Sequence, residues 1–149
     1  PFPESAVESD LPVDGHVPDV LRTPSQRLRI LLVDDHAMVR QGLRSVLESY
    51  TDLEVVGEAG DGGAAISIAS ALKPDVVVMD INMPNIDGIE ATRHILSEHP
   101  DVVVIGLSVQ NERHIEEAML KAGAAVFVTK ERAAGQLYEA IVSTVRTRR

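Results

Sequence analysis

Residues 76–88 read Val-Val-Val-Met-Asp-Ile-Asn-Met-Pro-Asn-Ile-Asp-Gly: four apolar side chains in a row, a carboxylate at Asp80, then a turn. Successive side chains of a strand point to opposite faces, so a strand that is apolar throughout is buried on both. Such strands belong to a parallel sheet with helices packed on each side. Asp87 stands where it can cap a helix that carries Ile89, Thr92, Ile95 and Leu96.

The same texture extends in both directions. Upstream, Ile30-Leu31-Leu32-Val33 ends in Asp34-Asp35 and leads to a helical pattern with Val39, Leu43, Val46 and Leu47 on one face. A second run, Leu53 to Val56, leads through Gly57 to a loop at Gly60-Asp61-Gly62-Gly63 and an Ala/Ile-rich helix that stops before Pro74. Downstream, Pro100 ends a helix, and Val102 to Leu107 forms a fourth run ending at Ser108. A helix with Ile115, Ala118, Met119 and Ala122 follows, stopped by Gly123. A fifth run, Ala125 to Thr129, ends at Lys130, and the last helix carries Leu137, Ala140, Ile141, Thr144 and Val145. Five strands alternating with five helices predict a doubly wound α/β sheet with its ligand edge at the carboxyl ends of the strands. The phrase Pro-Asp-Val-Val-Val at Pro74–Val78 and Pro100–Val104 marks two equivalent helix-to-strand passages, not a duplication.

Residues 1–27 read as a flexible acidic linker containing Pro1, Pro3, Pro12, Pro18 and Pro24, and residues 28–149 as the folded domain. The first residue is Pro1, not Met, and the chain reads as a fragment or a processed form. Hydrophobic residues make up 44% of the 149, enough for a core without disulfides. With no cysteine, thiol catalysis and Cys-based zinc sites are excluded, and a reducing cytoplasm fits. A net charge of −9 opposes binding to nucleic acid or anionic membranes, and the only basic cluster is Arg146-Thr147-Arg148-Arg149. Neither a membrane-spanning run nor a signal-peptide pattern is present in the sequence.

A parallel sheet gathers Asp34, Asp35, Asp80, Ser108 and Lys130 at one edge. Crowded carboxylates raise one another's pKa unless a cation sits among them, and an all-oxygen donor set with room for water suits Mg²⁺. Asp80 can then act as a nucleophile toward a phosphoryl group, with Lys130 and Ser108 stabilising its oxygens. Taken singly, Asp34-Asp35 could merely cap the first helix, Ser108 could do the same for a later one, and Lys130 could be a solvated surface residue. The histidines His16, His36, His94, His99 and His114 show no metal-ligand spacing, and His94 and His99 are expected to be solvated near one helix end.

In that order, these residues resemble the receiver domain of two-component response regulators. The likeness rests on Ile30–His36, Val78–Gly88, Gly106-Leu107-Ser108 and Phe127–Lys130, and spans about residues 28–147. It implies a flavodoxin-like (βα)5 fold with sheet order 2-1-3-4-5 and helices on both faces. It also implies Asp80 as acceptor of a phosphoryl group from a phosphohistidine. Asp34, Asp35, Asp80 and the backbone carbonyl of Asn82 would hold Mg²⁺, Ser108 and Lys130 would bind the phosphoryl group, and Phe127 with Ser108 would form the switch. The implied partner is a sensor histidine kinase or phosphotransfer domain, with a homodimer as one option, and the implied location is the cytoplasm. The run Asp34 to Leu43 is most similar to receivers that precede a LuxR-type helix-turn-helix. The parent protein is therefore expected to be a response regulator whose output domain lies outside this sequence, or a hybrid histidine kinase.

Two departures stand out. Val109 follows Ser108 where a small residue is usual, and is expected to restrict access to Asp80 and slow both gain and loss of phosphoryl groups. Glu131 follows Lys130 where proline is common, so a cis peptide is not expected there. Three rival functions fit the residues less well. A phosphatase of the haloacid-dehalogenase type needs a second Asp at the position of Asn82. A phosphate-independent binding module tends to lose part of the constellation retained here. A nucleotide- or flavin-binding domain would need a glycine fingerprint after the first strand.

Overall fold

A computed structural model describes residues 27–83, 87–108 and 113–148. Except for Arg27, the expected linker lies outside the described residues, as do Pro84–Ile86 and Val109. In chain order the elements are β1 (Leu28–Val33), α1 (Ala37–Glu48), β2 (Leu53–Ala59), α2 (Gly62–Leu72), β3 (Val76–Asp80), α3 (Gly88–Glu98), β4 (Val103–Ser108), α4 (Arg113–Ala122), β5 (Val126–Thr129) and α5 (Lys130–Arg148). The strands form one parallel sheet in the order β2-β1-β3-β4-β5, as expected.

Alternation along each strand divides the core in two. Ile30, Leu32, Val76, Val78, Ile105 and Leu107 face α1 and α5, where they meet Leu43, Leu47, Leu137 and Ile141. Leu31, Val33, Val77, Met79 and Val104 face the other side, against Ala65, Ala69, Ala91, Ile95 and Met119 of α2, α3 and α4. The central strands thus bury apolar surface on both faces, which is why β3 carries no polar residue before Asp80 and β1 none after Arg29. Truncating a side chain as deep as Leu137, fully buried, should cost about 2–5 kcal/mol through lost transfer energy and an unfilled cavity.

β2 runs to Ala59, three residues past its expected end at Val56, with a bulge where β1 passes from Ile30 to Leu31 opposite Val55 and Gly57. The sequence pattern obscured this because Gly57 and Glu58 look like loop residues. Gly57 is instead a point of close packing, where a Cβ would come within 2.8 Å of Leu72 Cδ1 on α2. Gly62 and Gly63, expected in a loop, open α2, because the Asp61 carboxylate caps that helix by accepting from the Ala64 N–H at 2.8 Å. Gly123 ends α4 at φ +117°, the positive-φ stop that a glycine makes cheap. No cis peptide occurs among the described residues, so Lys130–Glu131 is trans.

β1 and β3 are neighbours, yet the connection from β1 leads to β2 on one side while β4 lies beyond β3 on the other. The connections that leave their carboxyl ends therefore diverge and open a crevice between them. Asp34 follows the first of these strands directly and Asp80 ends the second.

Candidate functional site

Asp34 and Asp80 are almost completely buried at the floor of the crevice. Each holds one oxygen in place through a nearby backbone N–H. Asp34 Oδ1 accepts from the His36 N–H at 2.8 Å, and Asp80 Oδ1 accepts from the Asn82 N–H at 3.1 Å. Their other oxygens meet the Lys130 ammonium, Asp34 Oδ2 at 2.7 Å and Asp80 Oδ2 at 3.1 Å. Apart from that ammonium, neither of these buried oxygens has a hydrogen-bond partner. Lys130 can reach both because it is the first residue of α5, with no loop between β5 and the helix.

Two buried carboxylates facing one ammonium leave an unbalanced negative charge. Burial, reinforced by the Asp34 charge, pushes the Asp80 carboxyl up to about 6, against the pull of the Asn82 N–H and Lys130. For Lys130, burial acts to lower the ammonium pKa, but the bond to Asp34 and the charge of Asp80 outweigh it and hold it above the ordinary lysine value. Asp35 lies at the rim with its side chain 27% exposed, adding a third carboxylate. Ligand atoms of Asp34, Asp35, His36 and Asp80 all lie within 4.8 Å of one another. Buried carboxylate oxygens short of donors, with a second acidic group at hand, fit a small hard dication.

Ser108 is buried at the end of β4, where it pairs with Thr129 of β5. Phe127 is half-buried on β5 opposite Gly106, and a Cβ on Gly106 would stand 3.1 Å from its ring. Asn82 is exposed, and its main chain reaches the site through the N–H bonded to Asp80. The structure thus brings Asp34, Asp35, Asp80 and Lys130 together and sets Ser108 at the end of β4, beside β3.

Four residues matter that the sequence pattern did not single out. His36 lacks metal-ligand spacing in the sequence, but its Nδ1 lies 3.2 Å from Asp34 Oδ1 and 3.1 Å from Asp35 Oδ1. Spacing along the chain missed it because the ligands come from two strands; its place directly after Asp34-Asp35 was the available signal. Arg40 donates to the Asp34 main-chain carbonyl and, at 3.0 Å, to Glu58. Glu58 also takes Arg44 at 2.6 Å, and that bond, with the one to Arg40, keeps its carboxyl below the usual range despite partial burial. This tie fastens the loop after β1 to β2. Gly88 packs so tightly under the site that a Cβ would overlap the Asp80 carbonyl oxygen and come within 2.6 Å of Ile81 Cα. Of the other histidines, His94 is exposed as expected, whereas His99 is only 24% exposed. His99 sits at the end of α3, away from the carboxylates, where it lines a groove with Lys73, Pro74 and Pro100.

The profile of the family described as response regulator receiver domain matches residues 30–142. The response regulator GacA of Pseudomonas viridiflava is 43% identical over 114 residues, which are 76% of this chain and 53% of that protein. The chain therefore spans about half the length of the curated relatives it matches. A two-component response regulator of the LuxR family from Aurantimonas sp. SI85-9A1 superposes with a TM-score of 0.78 at 36% identity, covering 83% of this chain and 88% of that one. The response regulator domain of Thermotoga maritima CheB gives 0.76 at 37% identity, covering 80% and 97%.

Proposed function

This chain belongs to the response regulator receiver family, closest in character to its LuxR-type members, and from that premise we propose that Asp80 accepts a phosphoryl group in an Mg²⁺-dependent transfer. The observation that carries the proposal is the pair of buried oxygens on Asp34 and Asp80, which face one ammonium and no other donor. Asp34, Asp35 and Asp80, with the Asn82 carbonyl, would hold the ion. When bound, it neutralises the carboxylates and draws charge from the phosphoryl oxygens. Asp80 then attacks phosphorus, a P–O bond forms as the P–N bond to the donor imidazole breaks, and the imidazole leaves with its electron pair. Lys130 follows the new charge from Asp80 to the phosphoryl oxygens. Ser108 donates to one of those oxygens, and Phe127 moves into the space that the hydroxyl vacates. Val109 guards access to Asp80.

The modification is stoichiometric, so the domain is a signalling switch and not an enzyme. Its partner is a sensor histidine kinase or a phosphotransfer domain in the cytoplasm, and its output is a changed protein surface, with a homodimer as one form that surface can take. The parent is a response regulator or a hybrid kinase. Among the described residues no helix is long and apolar enough to cross a membrane.

The test is intact mass after incubation with acetyl phosphate, with and without Mg²⁺, for wild type and Asp80→Asn. A single phosphoryl adduct requiring both Mg²⁺ and Asp80 is expected. Because Val109 can exclude small donors, a phosphorylated kinase domain serves as the second donor. No adduct from either donor would leave a phosphate-independent binding module.

A further inference from the structure

His36 is the N-cap of α1, with extended backbone (φ −101°, ψ 107°), and its side chain makes no capping bond. Its own N–H is held by Asp34 Oδ1 at 2.8 Å, which pins the residue over the crevice. The ring turns inward. Nδ1 stands 3.2 Å from Asp34 Oδ1 and 3.1 Å from Asp35 Oδ1, although the side chain is 64% exposed. An ion bound octahedrally at about 2.1 Å by each donor separates neighbouring donors by about 3 Å and opposite donors by about 4.2 Å. The distances at His36, spanned by a hydrogen bond to Asp34 in the ion-free protein, are also neighbour distances of that kind, and the full spread of 4.8 Å across Asp34, Asp35, His36 and Asp80 needs little contraction to match the longer one. The buried Oδ2 atoms of the same two carboxylates, Asp34 and Asp80, face only the Lys130 ammonium and leave the cluster short of positive charge.

We propose that His36 Nδ1 is a further ligand of this divalent-ion site, and that it makes the site one for first-row transition dications as well as Mg²⁺. The inference rests on the reading of the acidic cluster as a divalent-ion site. Carboxylates and water alone suit Mg²⁺, whereas a neutral imidazole adds far more to the binding of Co²⁺, Ni²⁺ or Zn²⁺ than to that of Mg²⁺. The ring coordinates through Nδ1 with its proton on Nε2, which the open side of the crevice leaves free to meet solvent.

Calorimetric titration of Mg²⁺ and Co²⁺ into the 149-residue chain, its His36→Gln variant and its Asp80→Asn variant tests this. Wild type should prefer Co²⁺, and His36→Gln should cut the Co²⁺-to-Mg²⁺ affinity ratio by about tenfold while moving Mg²⁺ affinity by less than about twofold. Asp80→Asn should weaken both ions. In the Mn²⁺ form, pulsed electron paramagnetic resonance should show a nitrogen coupling in wild type that vanishes in His36→Gln. An unchanged ratio, equal loss of both ions in His36→Gln, or no nitrogen coupling in wild type would overturn the role of His36 while leaving the Mg²⁺ site intact. Should wild type bind neither ion, the divalent-ion site itself falls, and His36 as its ligand with it.

Discussion

Replacing Asp80 with asparagine should make the ion-free protein more stable, the reverse of what removing a buried ion-pair partner usually does. Asp34 and Asp80 share one ammonium, so the ionised pair carries an excess negative charge on two buried side chains. The Asp80 carboxyl is raised from 3.8 to about 6, which corresponds to about 3 kcal/mol of unfavourable ionisation at neutral pH. Asn82 still finds an oxygen at the same position in Asp80→Asn, but Lys130 loses its second contact, which offsets part of the gain. A net stabilisation of about 1–2 kcal/mol remains, or about 4–8 °C in Tm for a domain of this size.

The pH dependence has a definite sign. Between 3.8 and about 6 the folded state holds a proton on Asp80 that the unfolded chain has released. Stability from this group is therefore fully present below the lower value and is lost as pH rises through the upper one. The advantage of Asp80→Asn should be near zero at pH 4 and complete by about pH 7. Urea unfolding followed by circular dichroism, with EDTA present and at several pH values, reads the difference directly. Added Mg²⁺ should reverse the order, since an ion at a hundred times its Kd stabilises wild type by about 2.7 kcal/mol and the variant hardly at all. A variant less stable than wild type at pH 7.5 in EDTA, or an advantage independent of pH, would refute the reasoning.

Lys130→Met leaves Asp34 and Asp80 facing each other, and should lower stability in EDTA by about 2–4 kcal/mol, with Mg²⁺ restoring more to it than to wild type in the same urea titrations. Gly88→Ala forces a methyl group against the Asp80 main chain, so a loss of about 2 kcal/mol or more by thermal melting is expected, together with weaker Mg²⁺ binding by calorimetry. Tyr138→Phe removes the hydroxyl that donates to Asp52 at 2.7 Å but keeps the ring stacked on Tyr50 at 3.8 Å. It should cost about 1–2 kcal/mol in urea unfolding and leave acetyl-phosphate labelling unchanged, because the pair lies at the opposite end of the sheet.

The order of strands and helices, and the residues that close each strand, are legible from the amino acids alone. Those features are local: an apolar run between turn residues is a buried strand wherever it lies, and a proline or glycine stops a helix without regard to neighbours. Parallel pairing then sends every strand end to one edge, so Asp34, Asp80, Ser108 and Lys130 could be grouped before any distance was known. Distances between elements were a matter for the tertiary structure. Gly57 reads as a loop residue until α2 is laid across β2, and Gly88 as a turn residue until α3 is set beneath Asp80. Arg40 and Glu58, 18 residues apart, became a clamp only when α1 and β2 were packed together. His36 carried no metal-ligand spacing because its would-be co-ligand Asp80 comes from another strand. Close approach between side chains on different elements depends on register, bulges and packing depth to within an ångström, and a one-dimensional pattern with periods of two and 3.6 residues does not encode lengths on that scale.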